Sequence, residues 1–191
     1  MAKKQIKKEI IKERPSLIKL DIGSGDQKIP EWRAIDSTAG QDIIHDLDQY
    51  PWPIADGTVE EARMIGQIQK MKDIMAFMNE LYRILLPPRE EDGVKKPGGK
   101  ILIVAPYYTS SRAWQDPFTV RPISETTFLY FNKDWRVQNK LEHYPINCDF
   151  DFNYGYTFHP DWNLRSEDAR NFGVRHYWNV ITDIQLVLTK K

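Results

Sequence analysis

KILIVAP, residues 100–106, is the feature that most limits what this chain can fold into. The run is apolar after its first residue, enters from Gly98-Gly99 and leaves through Pro106. It is too short for a helix and lacks the alternation of a sheet with one wet face, so it predicts a strand buried within a parallel sheet. SLIKLDIG, residues 16–23, reads the same way and also ends in glycine. EWRAIDS at 31–37 predicts a second strand, and further strands are predicted at 42–45 and 62–65. Ile74, Phe77, Met78, Leu81 and Leu85 then recur at helical spacing until Pro87 and Pro88 stop them. PREEDGVKKPGG at 88–99 reads as an exposed loop, and Ser124 as the N-cap of a helix through 124–132.

The last third changes character. Phe150, Phe152, Tyr154, Tyr156 and Phe158 alternate with polar residues, the pattern of an antiparallel strand. NVITDIQLVLTKK at 179–191 predicts a closing strand of the same kind, with one short helix in the polar stretch between them. Together these elements predict an α/β domain, a three-layer αβα sandwich whose sheet is mainly parallel with an antiparallel C-terminal strand. At 191 residues the chain suits one domain over 1–191. Residues 1–14 are expected to be a basic N-terminal arm or helix, the spacing of Ile6, Ile10 and Ile11 suiting one apolar edge.

Charge and composition narrow the partners. Lys plus Arg equals Asp plus Glu at 27 each, so no basic surplus points to nucleic acid. No apolar run approaches the ~18 residues of a membrane span, and no signal-peptide core precedes the first strand, so the expected compartment is the cytoplasm. Cys148 is the single cysteine and cannot form an internal disulfide. His45, His143, His159 and His176 are scattered, so no metal is expected.

Gly23-Ser24-Gly25 ends the first strand where an open α/β sheet binds its ligand. A dinucleotide turn needs a third glycine, and Lys28 stands there instead. Asp36 comes 11 residues after Gly25, earlier than the ~20-residue interval of a dinucleotide fold. There is no G-x-x-x-x-G-K-[ST] phosphate loop, and the serine is not set as a nucleophile elbow. The spacing suits a cofactor without phosphate: two glycines admit an amino-acid moiety, and Asp36 accepts from two ribose hydroxyls.

LDIGSGD, AID, IIHDLDQYPWPIADGTVEE, FMNELYRILLP and KPGGKILIVAP occur in that order. The set, spanning about residues 18 to 131, resembles the seven-stranded class I S-adenosylmethionine-dependent methyltransferases, in particular small bacterial and phage members. The resemblance implies a seven-stranded sheet, S-adenosylmethionine as cofactor, a cofactor-binding half over 18–106 and an acceptor side over 107–191. By that likeness Gly23, Ser24 and Gly25 form the cofactor turn and Asp21 sits near the methionine amino group. Asp36, with Ser37 beside it, takes the ribose, and Asp46 and Leu47 face the adenine. Gly66 and Gln67 border the methyl group. The chain departs from the pattern at IGQIQKMKD, residues 65–73, which lacks the His or Glu-His base that relatives often carry there, and at Thr119, where relatives commonly have His.

The acceptor is expected to be a small or sugar-containing molecule. Tyr107, Tyr108 and Trp114 are candidates for its walls, and Arg121 for a further contact. Asp116, His159 and Tyr107 are candidate acid/base groups. The opposing reading has these aromatics packing the loop onto the sheet, with Asp116 and Arg121 shaping turns before prolines. APYY at 105–108 follows the wrong strand for the motif of enzymes that methylate bases. Two alternatives stand beside methyl transfer: a non-catalytic protein of this fold that binds S-adenosylmethionine or a protein partner, and a nicotinamide-dependent reductase, which the glycine spacing disfavours.

Overall fold

The structure, a computed structural model, describes residues 16–27 and 29–191. The N-terminal arm over 1–14 lies outside the described residues. Among the described residues nine strands form: β1 (Ile18–Ile22), β2 (Trp32–Asp36), β3 (Ile43–Ile44), β4 (Val59–Ile65), β5 (Arg89–Glu91), β6 (Val94–Lys96), β7 (Lys100–Pro106), β8 (Phe150–Phe158) and β9 (Ile181–Lys190). The helices are α1 (Ile74–Ile84), α2 (Glu125–Leu129), α3 (Lys133–Gln138), α4 (Pro160–Asn163) and α5 (Glu167–His176).

Seven strands make one sheet in the order β3-β2-β1-β4-β7-β9-β8. The first five are parallel, and β9 runs antiparallel to both β7 and β8. This is the mostly parallel sheet with an antiparallel C-terminal strand that the pattern predicts. Strand order reverses at β1 and β4, so the crevice beyond their carboxyl ends is where a ligand is expected.

One face of the sheet is apolar. Leu20, Ile22, Met64, Ile101, Ile103, Leu186 and Leu188 are fully buried there, against Phe77, Met78, Leu81 and Ile84 of α1 and Phe128 of α2. Asp73 caps α1 by accepting from Met75 N and Ala76 N, each at 2.9 Å. At its far end Lys190 Nζ donates to Tyr82 O (2.5 Å) and Leu85 O (2.8 Å), satisfying carbonyls that a helix end leaves unpaired. The glycine pair before β7 is there for packing. A Cβ at Gly99 would lie 2.5 Å from Val59 O and 3.0 Å from Leu86 N.

Among the described residues, one α-helix, α1, lies between parallel strands of the sheet, β4 and β7. Only nine residues, 23 to 31, separate β1 from β2, and the chain crosses them in turns. The opposite sheet face is accordingly half-exposed among the described residues. It carries a ladder across three strands, Lys19–Glu61 at 3.5 Å and Lys100–Glu61 at 3.4 Å, with Leu102 and Val187 paired in the next row.

Two segments differ from expectation. Residues 88–99 are not a plain loop: β5 and β6 pair antiparallel across Asp92-Gly93, whose φ values of 52° and 73° fit a tight two-residue hairpin turn. The stretch between β8 and β9 holds two helices rather than one, because Ser166 caps a second helix through Ala169 N at 3.3 Å.

Candidate functional site

The glycine turn is held from three sides. Gly23 N donates to Ile35 O at 2.9 Å, and Gly25 N donates to Asp36 Oδ2 at 3.1 Å, so the end of β2 closes the turn that follows β1. From below, Ser24 Oγ donates to Gln41 Oε1 at 3.3 Å while the Gln41 amide donates to Gly25 O. From β4, Gln67 leans on the turn: a Cβ at Gly23 would lie 2.6 Å from Gln67 Cγ, and Gly23 has φ +71°. Gly25 and Gly66, by contrast, have nothing within 4 Å of where a Cβ would stand. The ground above both is open.

Gly23→Ala therefore strains the backbone by roughly 1–2 kcal/mol and displaces Gln67. The expected outcome is a lower melting temperature together with weaker cofactor binding, read by thermal unfolding and calorimetry. Unchanged values in both would show that the turn does not need this geometry.

Asp36 is the best-defined acid of the site. Its Oδ1 accepts from Thr38 N (3.0 Å) and Thr38 Oγ1 (2.9 Å), with Ser37 Oγ at 3.5 Å. Partial burial pushes the carboxyl up, but the hydrogen bonds from Thr38, Gly25 and Ser37 outweigh it, and the group sits below the ordinary aspartate value. Among the described residues, Oδ2 accepts from Gly25 N alone. Asp36 O also accepts from His45 N at 3.0 Å, which brings the 45–47 segment beside it. There Asp46 is exposed with Oδ1 accepting from Asp48 N (3.0 Å), and Leu47 O accepts from Trp52 Nε1 (3.2 Å).

Asp21 is placed differently from the rest. It is 2% exposed, and both its oxygens are taken by Arg63, Nε to Oδ1 and Nη2 to Oδ2, each at 2.9 Å. Gly23, Ser24, Gly25, Asp36, Ser37, Gly66 and Gln67 are thus brought together, with Asp46 and Leu47 adjoining, while Asp21 is engaged within the sheet. Sequence reasoning missed Gln41, Thr38 and Arg63. The two polar residues after Asp36 are the signal for Thr38, since such side chains bond back to a preceding acid. The Arg63 pair joins residues 42 apart and leaves no local signal.

On the acceptor side the candidates divide. Tyr107 is 3% exposed, and its hydroxyl donates to Glu125 Oε2 at 3.0 Å. Burial, then the Glu125 charge, pushes that hydroxyl far above the ordinary tyrosine value. Its ring packs on Tyr108 and Tyr156 with centroids 4.7 and 5.3 Å apart, which is the packing reading of this residue. Tyr108 and Trp114 are both exposed, and Trp114 Nε1 donates to Tyr108 O at 3.1 Å. Arg121 Nη2 donates to Lys72 O at 2.8 Å and holds the loop, while its Nε is buried without a partner.

Asp116 pairs with Lys70 Nζ at 2.7 Å and accepts from Phe118 N at 2.9 Å. The Lys70 ammonium, helped by that amide, holds its carboxyl below the usual range, which makes a weak proton acceptor. His159 Nδ1 accepts from Asp161 N at 3.4 Å at the start of α4 and lies 3.4 Å from Asp161 Oδ2. Burial pushes the Cys148 thiol up to about 12, so it is inert at neutral pH. Among the described residues no three His, Cys, Asp or Glu side chains group to hold a metal ion. No helix among them is long and apolar enough to cross a membrane.

No family model matches this sequence, and no curated protein matches it. Solved structures do superpose on it. An S-adenosylmethionine-dependent methyltransferase of Archaeoglobus fulgidus aligns at 14% identity, with 92% of this chain and 86% of that one covered and a TM-score of 0.57. An S-adenosylmethionine-dependent methyltransferase of Thermotoga maritima aligns at 15% identity, covering 94% and 84%, with a TM-score of 0.52. A geranyl diphosphate C-methyltransferase of Streptomyces coelicolor, in complex with Mg2+, geranyl diphosphate and S-adenosyl-L-homocysteine, aligns at 11% identity, covering 92% and 74%, with a TM-score of 0.53. With its strand order and these superpositions, the chain has the fold of the class I S-adenosylmethionine-dependent methyltransferases.

Proposed function

We propose that the protein is an S-adenosylmethionine-dependent methyltransferase acting on a small or sugar-containing acceptor. The observation that supports this most is the pairing, at the strand-order reversal, of open ground above Gly25 and Gly66 with an ionised Asp36 between them and the 45–47 segment. The fit is chemical: a ribose presents two hydroxyl donors, and Asp36 Oδ2 retains acceptor capacity beside Gly25.

S-adenosylmethionine supplies a methyl group on a sulfonium, open to in-line displacement. Asp36, with Ser37, would hold the ribose, and Asp46 and the Leu47 backbone the adenine. Gly23, Ser24 and Gly25 let the chain approach the amino-acid moiety, with the Asp21–Arg63 pair beneath it. Gly66 and Gln67 border the methyl. With no free base at the end of β4, the chain's contribution to rate is orientation: it holds the acceptor at attack distance and excludes water. The exposed pair Tyr108 and Trp114 suits a planar or sugar face.

Calorimetry with S-adenosylmethionine, S-adenosylhomocysteine and NAD tests this reading. Heat with the first two and none with NAD is expected, and silence with both methionine-derived ligands removes the proposal. One observation favours a second reading, a non-catalytic protein of this fold that binds the cofactor or a protein partner. Asp116 is tied to Lys70, and His159 is tied into the start of α4. Methyl-labelled cofactor incubated with metabolite extracts separates the two, since only the enzyme yields labelled product.

A further inference from the structure

Next to Gly66, beyond the carboxyl ends of β4 and β7, lies a cavity of about 470 Å3. It is within the roughly 300–1,000 Å3 of small-molecule sites. It does not include the glycine turn or Asp36, so it adjoins the cofactor residues without coinciding with them. Ile65 and Val104 supply apolar wall, and Gln69, Arg112, Gln115, Asp116 and Asp183 supply its polar side chains.

Gln69 is the unusual one. It is 5% exposed, yet only half its amide is used: Nε2 donates to Gly66 O at 2.7 Å, while Oε1 is buried with no hydrogen-bond partner. The orientation is fixed, because Gly66 O can only accept. Its backbone is fixed as well, with Gln69 O accepting from Val120 N (2.9 Å) and Arg121 N (3.3 Å). A buried acceptor left unpaired is costly, and a fold that keeps one beside a cavity gains when a donor enters.

The charges decide what kind of donor. Arg112 is the cation among the lining residues, and its Nη1 is committed to Asp183, at 2.9 Å to Oδ1 and 2.7 Å to Oδ2. Asp116 is paired with Lys70, which is not in the wall. The wall thus carries two carboxylates against one guanidinium, together with an orphan carbonyl oxygen. An anion would meet an excess of negative charge, whereas N–H and O–H groups would find acceptors.

We propose that this cavity is the acceptor subsite, and that it takes a non-anionic molecule presenting an N–H or O–H donor to Gln69 Oε1. The inference rests on the methyltransferase reading and narrows its substrate class to amines or polyols, excluding phosphorylated and carboxylated acceptors.

The test splits a metabolite extract at pH 7 into cation-retained, anion-retained and unretained fractions, each incubated with methyl-labelled S-adenosylmethionine. Labelled product is expected from the cation-retained or unretained fraction. Gln69→Met, matched in length, is expected to cut that transfer about tenfold with the cofactor dissociation constant unchanged by calorimetry. Label from the anion-retained fraction, wild-type transfer by Gln69→Met, or no label from any fraction while the cofactor binds would each overturn the inference. Failure of the wild type to bind cofactor removes the underlying reading instead. Should Gln69→Met not fold, Asp183→Asn decides: with Arg112 released, label is expected to shift toward the anion-retained fraction, and an unchanged distribution overturns the charge argument.

Discussion

Asp36→Ala weakens S-adenosylmethionine binding about a hundredfold if Asp36 carries the ribose. Hydrogen bonds to a charged group contribute about 1.5–3 kcal/mol each, and two are lost. The variant also takes away the acceptor of Gly25 N, so the turn loosens as well. Asp36→Asn keeps the shape and one acceptor oxygen, and about a tenfold loss is expected of it, reflecting the charge alone. Calorimetry measures both, and an unchanged dissociation constant in Asp36→Ala would place the ribose elsewhere. The pH dependence has a definite sign. The folded carboxyl lies below its ordinary value of 3.8, so its contribution to stability is fully present above that pH. It is lost only as pH falls through the lower folded value, and cofactor binding is flat in Asp36 from neutrality down to that window.

Glu80→Ala is expected to cost about 3 kcal/mol of stability, the range for removing one partner from a buried ion pair. Glu80 is 6% exposed on α1, and its Oε1 accepts from Trp52 N (2.6 Å) and Arg83 Nη2 (2.5 Å) while Oε2 accepts from Arg83 Nε (2.9 Å). Arg83 in turn donates to Ile54 O (2.8 Å) and Trp52 O (3.2 Å), and pairs with Asp56. One helical pair therefore pins the whole PWPIAD turn, residues 51–56, whose Trp52 packs edge-on against Phe77. Removing the carboxylate leaves the Trp52 amide unpaired and the guanidinium with Asp56 as its remaining countercharge. For a chain of this size each kcal/mol moves the melting temperature by roughly 2–4 °C, so a fall of about 10 °C is expected by thermal scan. Arg83→Ala should cost a similar amount, and the double variant much less than the sum. Additive losses would show that the two residues act separately.

Much of the sheet was legible because its signal is local. KILIVAP and SLIKLDIG announce buried strands by composition, and CDFDFNYGYTF announces β8 by alternation. The β5–β6 hairpin escaped because its strands are three residues each and β6 is exposed throughout, so no hydrophobic period marks them. Asp92-Gly93 was its readable sign. In the site, glycines and acids at strand ends could be read from spacing. Cross-sheet commitments could not, because register sets them: Asp21 faces Arg63 only once β1 and β4 are aligned. Asp116 and Tyr107 illustrate the same limit. Their residue types suggested proton transfer, and their partners, Lys70 and Glu125, come from elsewhere in the chain.

The nine-residue link between β1 and β2 has an electrostatic consequence. No helix begins among its described residues, so the glycine turn has no aligned row of peptide dipoles beneath it. What it offers a ligand is open ground over Gly25 and the Asp36 carboxylate, since Asp21 is taken by Arg63. Such contacts are short-ranged and directional, and salt screens them little compared with a long-range field. The proposed cofactor would therefore be held at this turn by hydrogen-bond geometry, in ionic strengths that would strip a phosphate from a dipole-based cradle.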